Sequence, residues 1–175
     1  MSPSILAIDP GTEKSGVVLY SQTEARPVVL AEVMDNWHLL TRLRDGAFGF
    51  SSFAIEQICS YGMAVGKSTF TTVEWSGRFI EAWVSTCLAR RGLGPKTPAE
   101  DRVLRLPRLD IKVHLCGTAK AKDANIRQAL IDRLGEPGTK KNPGPTFGIS
   151  SHMWSALAVA VVAADRIAGK ERGQS

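Results

Sequence analysis

Residues 4–20 read SILAIDPGTEKSGVVLY, and in this stretch an acidic residue lies where a buried strand is expected. Residues 4–8 form an apolar run rich in β-formers, which is typical of the middle of a sheet. The run ends at Asp9, and Pro10 and Gly11 follow as turn formers before a second β-rich run over 16–20. The pattern predicts a hairpin whose most buried strand ends in a carboxylate. Asp9 either initiates the turn, by accepting hydrogen bonds from backbone N–H groups, or belongs to a functional site.

The composition is that of a globular protein with one domain. The chain has 175 residues, of which 43% are hydrophobic and 22% are charged, and we assign residues 1–168 to a single domain and 169–175 to a flexible C-terminal tail. No signal peptide is apparent, and the longest apolar stretch, 156–164, is much shorter than the roughly 20 residues of a membrane span. We therefore expect no membrane partner. The net charge of +5 favours a polyanionic partner.

The three cysteines indicate the compartment. They form no Cys-x-x-Cys pair, so neither a disulfide framework nor a zinc site fits the chain. The pattern is typical of free thiols in a reducing environment, and we expect a cytoplasmic protein.

The remaining chain predicts a mixed α/β sheet. A third strand over 26–33 completes an antiparallel meander with the first two, and helices then alternate with further strands. The predicted architecture is a five-stranded sheet in which strands 1-2-3 are antiparallel, parallel strands are added, and helices flank the sheet. The later predicted strands are 52–58 and 108–115, and the predicted helices are 36–44, 69–91, 123–134 and 151–168.

Two further residues share the unusual position of Asp9. Glu56 lies near the end of an otherwise apolar strand, where an unpaired buried carboxylate costs several kcal/mol. The last helix is apolar on nearly every face, yet its first turn carries His152 and Ser155, three residues apart and on one face. A histidine at a helix start is commonly a surface residue or part of a cap. Because all these residues fall at the ends of elements that pack into one core, they predict a shared site.

Three stretches together resemble the RuvC-type Holliday-junction resolvases, which belong to the ribonuclease H-like superfamily. They are ILAIDPG at 5–11 with Gly16 after it, AIE at 54–56, and SHMWSALAVA at 151–160. The resemblance extends from about residue 4 to residue 164. It implies a ribonuclease H-like fold and a metal-dependent, structure-selective endonuclease that resolves four-way DNA junctions.

The resemblance also implies the site residues. The catalytic aspartate and glutamate of the family fall on Asp9 and Glu56, and its two acidic positions in the last helix fall on His152 and Ser155. The metal ligands would be Asp9, Glu56 and His152, holding two Mg²⁺ or Mn²⁺ ions that activate a water and stabilise the leaving oxygen. His152 is either a ligand or the base that orients the water.

Ser155 departs from the pattern, because the family normally has Asp at this position. Without a carboxylate there, we expect the second ion to be held loosely, and an imidazole ligand suits Mn²⁺ better than Mg²⁺. Asp165 is no substitute, since ten residues along a helix correspond to about 15 Å.

Basic and aromatic residues near these elements are candidates for DNA contacts. A phosphate at the start of the predicted helix 123–134 would gain from its free N–H groups, although a solvated basic face is the alternative. The loop before the last helix is expected to overhang the site, and aromatic residues after the Glu56 strand can stack on bases or wedge between them. The DNA-binding candidates are Tyr61, Lys67, Phe70, Lys120, Lys122, Arg127, Lys140 and Lys141.

Assembly and two rival functions stay open at this stage. Resolvases of this family act as two-fold dimers, and the long predicted helix 69–91 has one apolar stripe through Val73 and Ile80 and another through Trp75 and Phe79. One stripe packs on the sheet, and the second is either core or a dimer face. The rivals are a non-catalytic protein that binds branched DNA, made plausible by Ser155, and a nuclease of the same fold acting on RNA–DNA hybrids, flaps or forks.

Overall fold

The computed structural model describes residues 4–24, 26–48, 52–60, 62, 64–90 and 103–173. Within these ranges the chain forms five strands and five helices. In order they are β1 (Ser4–Asp9), β2 (Lys14–Ser21), β3 (Val28–Asp35), α1 (Asn36–Arg44), β4 (Ser52–Gln57), α2 (Lys67–Arg90), β5 (Val103–Pro107), α3 (Arg108–Cys116), α4 (Asp123–Leu134) and α5 (His152–Gly173).

The strands form one mixed sheet in the order β3-β2-β1-β4-β5. β1, β2 and β3 pair antiparallel, whereas β4 is parallel to β1 and β5 is parallel to β4. This confirms the predicted meander with added parallel strands. Ile8 pairs with Ile55 across β1 and β4, so Asp9 and Glu56 each follow this pair by one residue. The register therefore brings both carboxylates to the same end of two neighbouring strands.

Helices cover both faces of the sheet. α5 packs on one face, where residues 156–164 are all buried, as the apolar sequence predicts. α1 and α2 cover the other face, and the stripe of α2 through Trp75, Phe79 and Trp83 is buried there, with Trp83 stacked on Phe53 at 5.3 Å. Val73, on the other stripe, is 48% exposed. The aromatic stripe of α2 is therefore the one that packs on the sheet.

The predicted fifth strand over 108–115 is wrong, because that segment is helix α3. Its alternating apolar residues do not alternate between two sheet faces. Ile111 is fully buried, whereas Leu109 and Val113 are largely exposed on the helix surface. The place beside β4 is taken by β5, which Pro107 ends. Gly117, in the left-handed conformation with φ of 71°, ends the helix.

The last helix is longer than predicted. α5 continues to Gly173 rather than ending near residue 168, so the segment predicted to be a tail is helical as far as it is described. Over the described ranges, no helix has both the length and the apolar character needed to cross a membrane.

Candidate active site

The first turn of α5 lies against the end of β1. Nδ1 of His152 is 2.9 Å from Oδ2 of Asp9, and Ser155, one helical turn further on, lines the same cavity as Asp9. Gly16, which pairs with Asp9 across the sheet, permits this approach, because a Cβ there would lie 2.3 Å from the His152 carbonyl oxygen. Ser151 has a φ of 45°, a strained conformation for a residue with a side chain. The local backbone thus serves to place His152 beside Asp9.

Arg108 connects the end of β4 with the start of α4. Its Nη1 lies 3.1 Å from Oε2 of Glu56, and its Nη2 lies 2.6 Å from Oδ1 of Asp123. Glu56 is 9% exposed, so its carboxylate meets this guanidinium in a largely desolvated position. The sequence patterns predict neither Arg108 nor Asp123 as a site residue. The first was placed in a strand, and the second was read only as the start of a helix.

Burial raises the pKa of both carboxylates, and for Glu56 the charge of Asp9 adds to the effect. Burial raises the pKa of Glu56 to about 7, the charge of Asp9 adds to the rise, and Arg108 opposes it. Burial also raises the pKa of Asp9, against hydrogen bonds and charge from His152 and smaller contributions from Arg108 and Ser155. The neighbouring positive groups therefore do not fully offset the cost of burying the two carboxylate charges. The site favours additional positive charge.

The four predicted catalytic residues line one cavity of about 580 Å³. Arg127, one of the predicted DNA-binding residues, also lines it, with its guanidinium 5.1 Å from the centre of the Trp154 ring. The described lining residues of the cavity are Asp9, Glu56, Arg108, Asp123, Ala124, Ile126, Arg127, Ser151, His152, Trp154 and Ser155.

The carboxylates and the imidazole of the cavity are groups of the kind that bind a divalent cation, although here they are hydrogen-bonded to neighbouring side chains. Among the described residues, no three His, Cys, Asp or Glu side chains are arranged as a metal site. Asp9 is bound to His152, and Glu56 is bound to Arg108. Carboxylate oxygens and an imidazole nitrogen are nevertheless ligands that Mg²⁺ or Mn²⁺ accepts. A cation between Asp9 and Glu56 would also relieve the repulsion that raises the pKa of Glu56.

None of the other described candidates for DNA binding lines the cavity. Lys120 and Lys122 are exposed just before α4, and the backbone N–H of Lys122 donates to the side chain of Asn125 at 2.9 Å. Lys67 and Phe70 are exposed in the first turn of α2. Tyr61 lies outside the described residues.

Lys140 and Lys141 lie on an exposed turn near the opposite end of α4. A Cβ on Gly135, which follows α4, would be 3.3 Å from the Pro145 ring, so the loop that carries the turn passes that end of the helix. The cavity contacts the beginning of α4, which is a helix of about 18 Å. The structure does not bring these lysines to the cavity, where they were expected to overhang the site. A phosphate contact from them stays a prediction.

Asp165 takes part in a different cluster. It forms ion pairs with Arg133 and His114, and these partners lower its pKa below the ordinary value, with the hydrogen bond from Arg133 as the largest cause. This agrees with the expectation that Asp165 does not replace the missing carboxylate at Ser155.

Comparison with known proteins identifies the fold. No family model and no curated protein sequence matches the chain. A structure of Thermus thermophilus RuvC in complex with a Holliday junction substrate matches with a TM-score of 0.61 and 19% identity, over 93% of this chain and 93% of that chain. A second Thermus thermophilus RuvC structure matches with a TM-score of 0.61 and 18% identity, over 92% of this chain and 93% of that chain. The chain therefore has the RuvC fold, which confirms the predicted ribonuclease H-like architecture.

Proposed function

We propose that this protein is a metal-dependent, structure-selective DNA endonuclease that resolves four-way junctions. The observation that carries the proposal is the cavity in which Asp9, Glu56, His152 and Ser155 converge from β1, β4 and α5. These are the four residues to which the sequence resemblance assigns catalysis. Support also comes from the matching RuvC structure, which is a complex with a Holliday junction substrate.

The residues of the cavity divide the work of phosphodiester hydrolysis. Asp9, Glu56 and His152 would hold the Mg²⁺ or Mn²⁺ ions. When bound, such ions make a water nucleophilic and stabilise the leaving oxygen. Asp9 is fixed by the central strand and by its hydrogen bond to His152, so it is preorganised as a ligand. His152, which is more than half exposed, serves as a ligand or orients the attacking water.

Positive groups around the cavity supply the contacts to the DNA backbone. Arg127 lies at the cavity with an exposed guanidinium, and the exposed Lys120 and Lys122 precede the same helix. Charge-assisted hydrogen bonds from such groups to phosphate are short and strong, but they carry no sequence information. Selection of a four-way junction would therefore depend on the shape of the DNA.

A dimer and a cytoplasmic location complete the proposal. Two copies related by a two-fold axis would present two cavities to the two strands that a resolvase must cut. The stripe of α2 through Val73 and Ile80, of which Val73 is exposed and Ile80 is partly buried, is the candidate dimer face. The three cysteines are not joined by disulfides, which fits a reducing compartment.

Two observations favour a second function, the binding of branched DNA without cleavage. Ser155 supplies no charged ligand. The Glu56 carboxylate is paired with Arg108 and is not free to hold a metal ion. Such a cavity would bind phosphate through its arginines without hydrolysing it.

A cleavage assay separates these functions. Labelled four-way junctions, linear duplexes, forked DNA and RNA–DNA hybrids are incubated with the protein and Mg²⁺ or Mn²⁺. We expect paired incisions in the junction only. Junction binding without incision in either metal would support the non-catalytic binder, and incision of the hybrid or the fork would support a different nuclease of this fold.

A further inference from the structure

Arg108 is shared by two carboxylates with very different surroundings. The Glu56 side chain is 11% exposed, whereas the Asp123 side chain is 85% exposed, and the Arg108 side chain between them is 23% exposed. One end of the guanidinium thus lies inside the cavity, and the other lies at its mouth. No role of Arg108 follows from the sequence resemblance.

The fold fixes the backbone of Arg108 at this position. Pro107, the preceding residue, pairs with Gln57 at the end of β4, so α3 begins beside the strand that carries Glu56. Asp123 lies in the first turn of α4, where a negative charge is favoured by the helix dipole. Only the long side chain of Arg108 has to move for it to release Glu56 while it stays paired with Asp123.

A divalent cation and Arg108 compete for Glu56. The guanidinium is always charged, so it is a permanent cation at the Glu56 oxygen that a metal ion would use. Two cations on one carboxylate in a desolvated position repel each other strongly. When a metal ion binds Glu56, Arg108 loses that hydrogen bond but retains the one to its second partner, Asp123.

We propose that Arg108 is an exchangeable counter-ion of this site. It holds Glu56 while metal is absent. When a divalent ion binds Glu56, Arg108 releases Glu56 and keeps its pairing with Asp123 at the mouth of the cavity, where the freed donors bind a phosphate of the DNA. This proposal rests on the proposed function for the identity of the metal site and the ligand. It makes Arg108 a phosphate-binding residue that couples metal loading to DNA binding, so that each ligand strengthens the binding of the other.

Metal titration without DNA tests the competition directly. Binding of Mn²⁺ to the full chain is measured by calorimetry at alkaline pH for the wild type, Arg108→Gln and Arg108→Lys. We expect Arg108→Gln to bind Mn²⁺ about tenfold more tightly, because the competing cation is absent. Arg108→Lys keeps the charge and is expected to stay close to the wild type.

Arg166→Gln is the matched control. Arg166 pairs with Asp110 of α3 at 2.9 Å, so this variant also removes an arginine–carboxylate pair from α3, but outside the cavity. Its affinity for Mn²⁺ is expected to equal that of the wild type. An equal gain in both glutamine variants would overturn the proposal, as would unchanged or weaker Mn²⁺ binding by Arg108→Gln.

A measurement on the wild type covers the case in which Arg108→Gln does not fold. The arginine Nε–H signals are followed by NMR during a Mg²⁺ titration and assigned with the lysine variant. We expect the Arg108 signal to move and the Arg166 signal to stay. An unmoved Arg108 signal at saturating Mg²⁺ would overturn the proposal.

The coupling to DNA is tested by junction affinity in EDTA and in Ca²⁺, an oxygen-seeking ion used here to keep cleavage slow. The wild type should gain affinity with the ion, and Arg108→Gln should lose most of that gain. Failure of the two proposals can be told apart. Tighter Mn²⁺ binding by Arg108→Gln in a protein that cleaves no DNA contradicts the nuclease function alone. Unchanged Mn²⁺ binding in a variant of an active junction nuclease contradicts the counter-ion alone.

Discussion

Glu56→Gln replaces a buried carboxylate by a neutral amide of nearly the same size. We expect this variant to lose cleavage and yet to be more stable than the wild type at alkaline pH without metal. The reason is that burial and the neighbouring Asp9 charge make the ionised Glu56 side chain unfavourable in the fold. The amide keeps the shape and removes the charge.

The magnitude follows from the pKa of this carboxyl. A rise from the ordinary 4.5 to about 7 corresponds to about 3 kcal/mol in the free energy of unfolding once the group is ionised in both states. Between these two values the folded protein holds a proton that the unfolded chain has released. The wild type therefore loses stability as the pH rises through this window, and Glu56→Gln lacks this loss.

The assay is urea unfolding followed by circular dichroism, in EDTA, at about pH 4 and about pH 8. We expect the free energies of unfolding of the wild type and Glu56→Gln to differ little at the acidic pH. At the alkaline pH the variant should be more stable by about 3 kcal/mol. Glu136→Gln, at an exposed position, is the control and should show no such pH-dependent difference. Added Mg²⁺ should stabilise the wild type at alkaline pH and leave Glu56→Gln unchanged, because the metal binds only the folded wild type.

Two results would refute this reasoning. A stability difference that is the same at both pH values would mean that Glu56 is not an uncompensated buried charge. A variant less stable than the wild type at alkaline pH would mean that the ion pair with Arg108 outweighs the desolvation of the carboxylate.

Three further predictions test the geometry of the site. Gly16→Ala should lower the free energy of unfolding by about 1–3 kcal/mol, because its Cβ would push the start of α5 away from Asp9. For the same reason it should cleave the junction more slowly than the wild type. Gly66→Ala, where the added Cβ meets nothing, is the control in thermal melts and cleavage assays. Equal stability and equal cleavage in the two variants would contradict this prediction. Ser155→Asp should lower the Mg²⁺ concentration needed for half-maximal cleavage, because it returns a carboxylate next to Asp9. An unchanged requirement in a folded variant would show that Ser155 does not weaken metal binding. Lys122→Ala should reduce the slope of log affinity against log salt for junction binding by about 0.9. Lys140→Ala, near the far end of α4, should change that slope only if the DNA extends past the cavity. An unchanged slope for Lys122→Ala would mean that Lys122 is a solvated surface residue that does not contact phosphate.

The sequence predicted that Asp9, Glu56, His152 and Ser155 lie together, but it did not predict the residues beside them. Asp9 and Glu56 end apolar runs, and the spacing of His152 and Ser155 puts them on one helix face, so chain order and periodicity were enough to bring them together. Gly16 was recognised through the resemblance, but only the structure explains it, by the contact of β2 with the start of α5.

Arg108 shows why the rest was not predicted. Residues 108–115 alternate between apolar and polar in the manner of a strand, but they form a short helix that buries only Ile111 and leaves Leu109 and Val113 exposed. Pro107 was the available signal, because proline ends a strand ladder and commonly precedes or opens a helix. Reading Arg108 as a helix start would have placed it beside Glu56.

The positions of Lys140 and Lys141 depended on the path of a long loop. Local sequence identifies the turn residues of such a loop but not the element against which it packs. The contact between Gly135 and Pro145 determines that path, and it arises from tertiary packing.

The most direct test of the proposed nuclease site compares the wild type with Asp9→Asn on a four-way junction in Mg²⁺ or Mn²⁺. Binding and cleavage are measured on the same preparations. We predict paired incisions by the wild type, and for Asp9→Asn no incision with equal or tighter binding, because the substitution removes a metal ligand and a charge that repels phosphate. Cleavage by Asp9→Asn at a rate near that of the wild type would contradict the account.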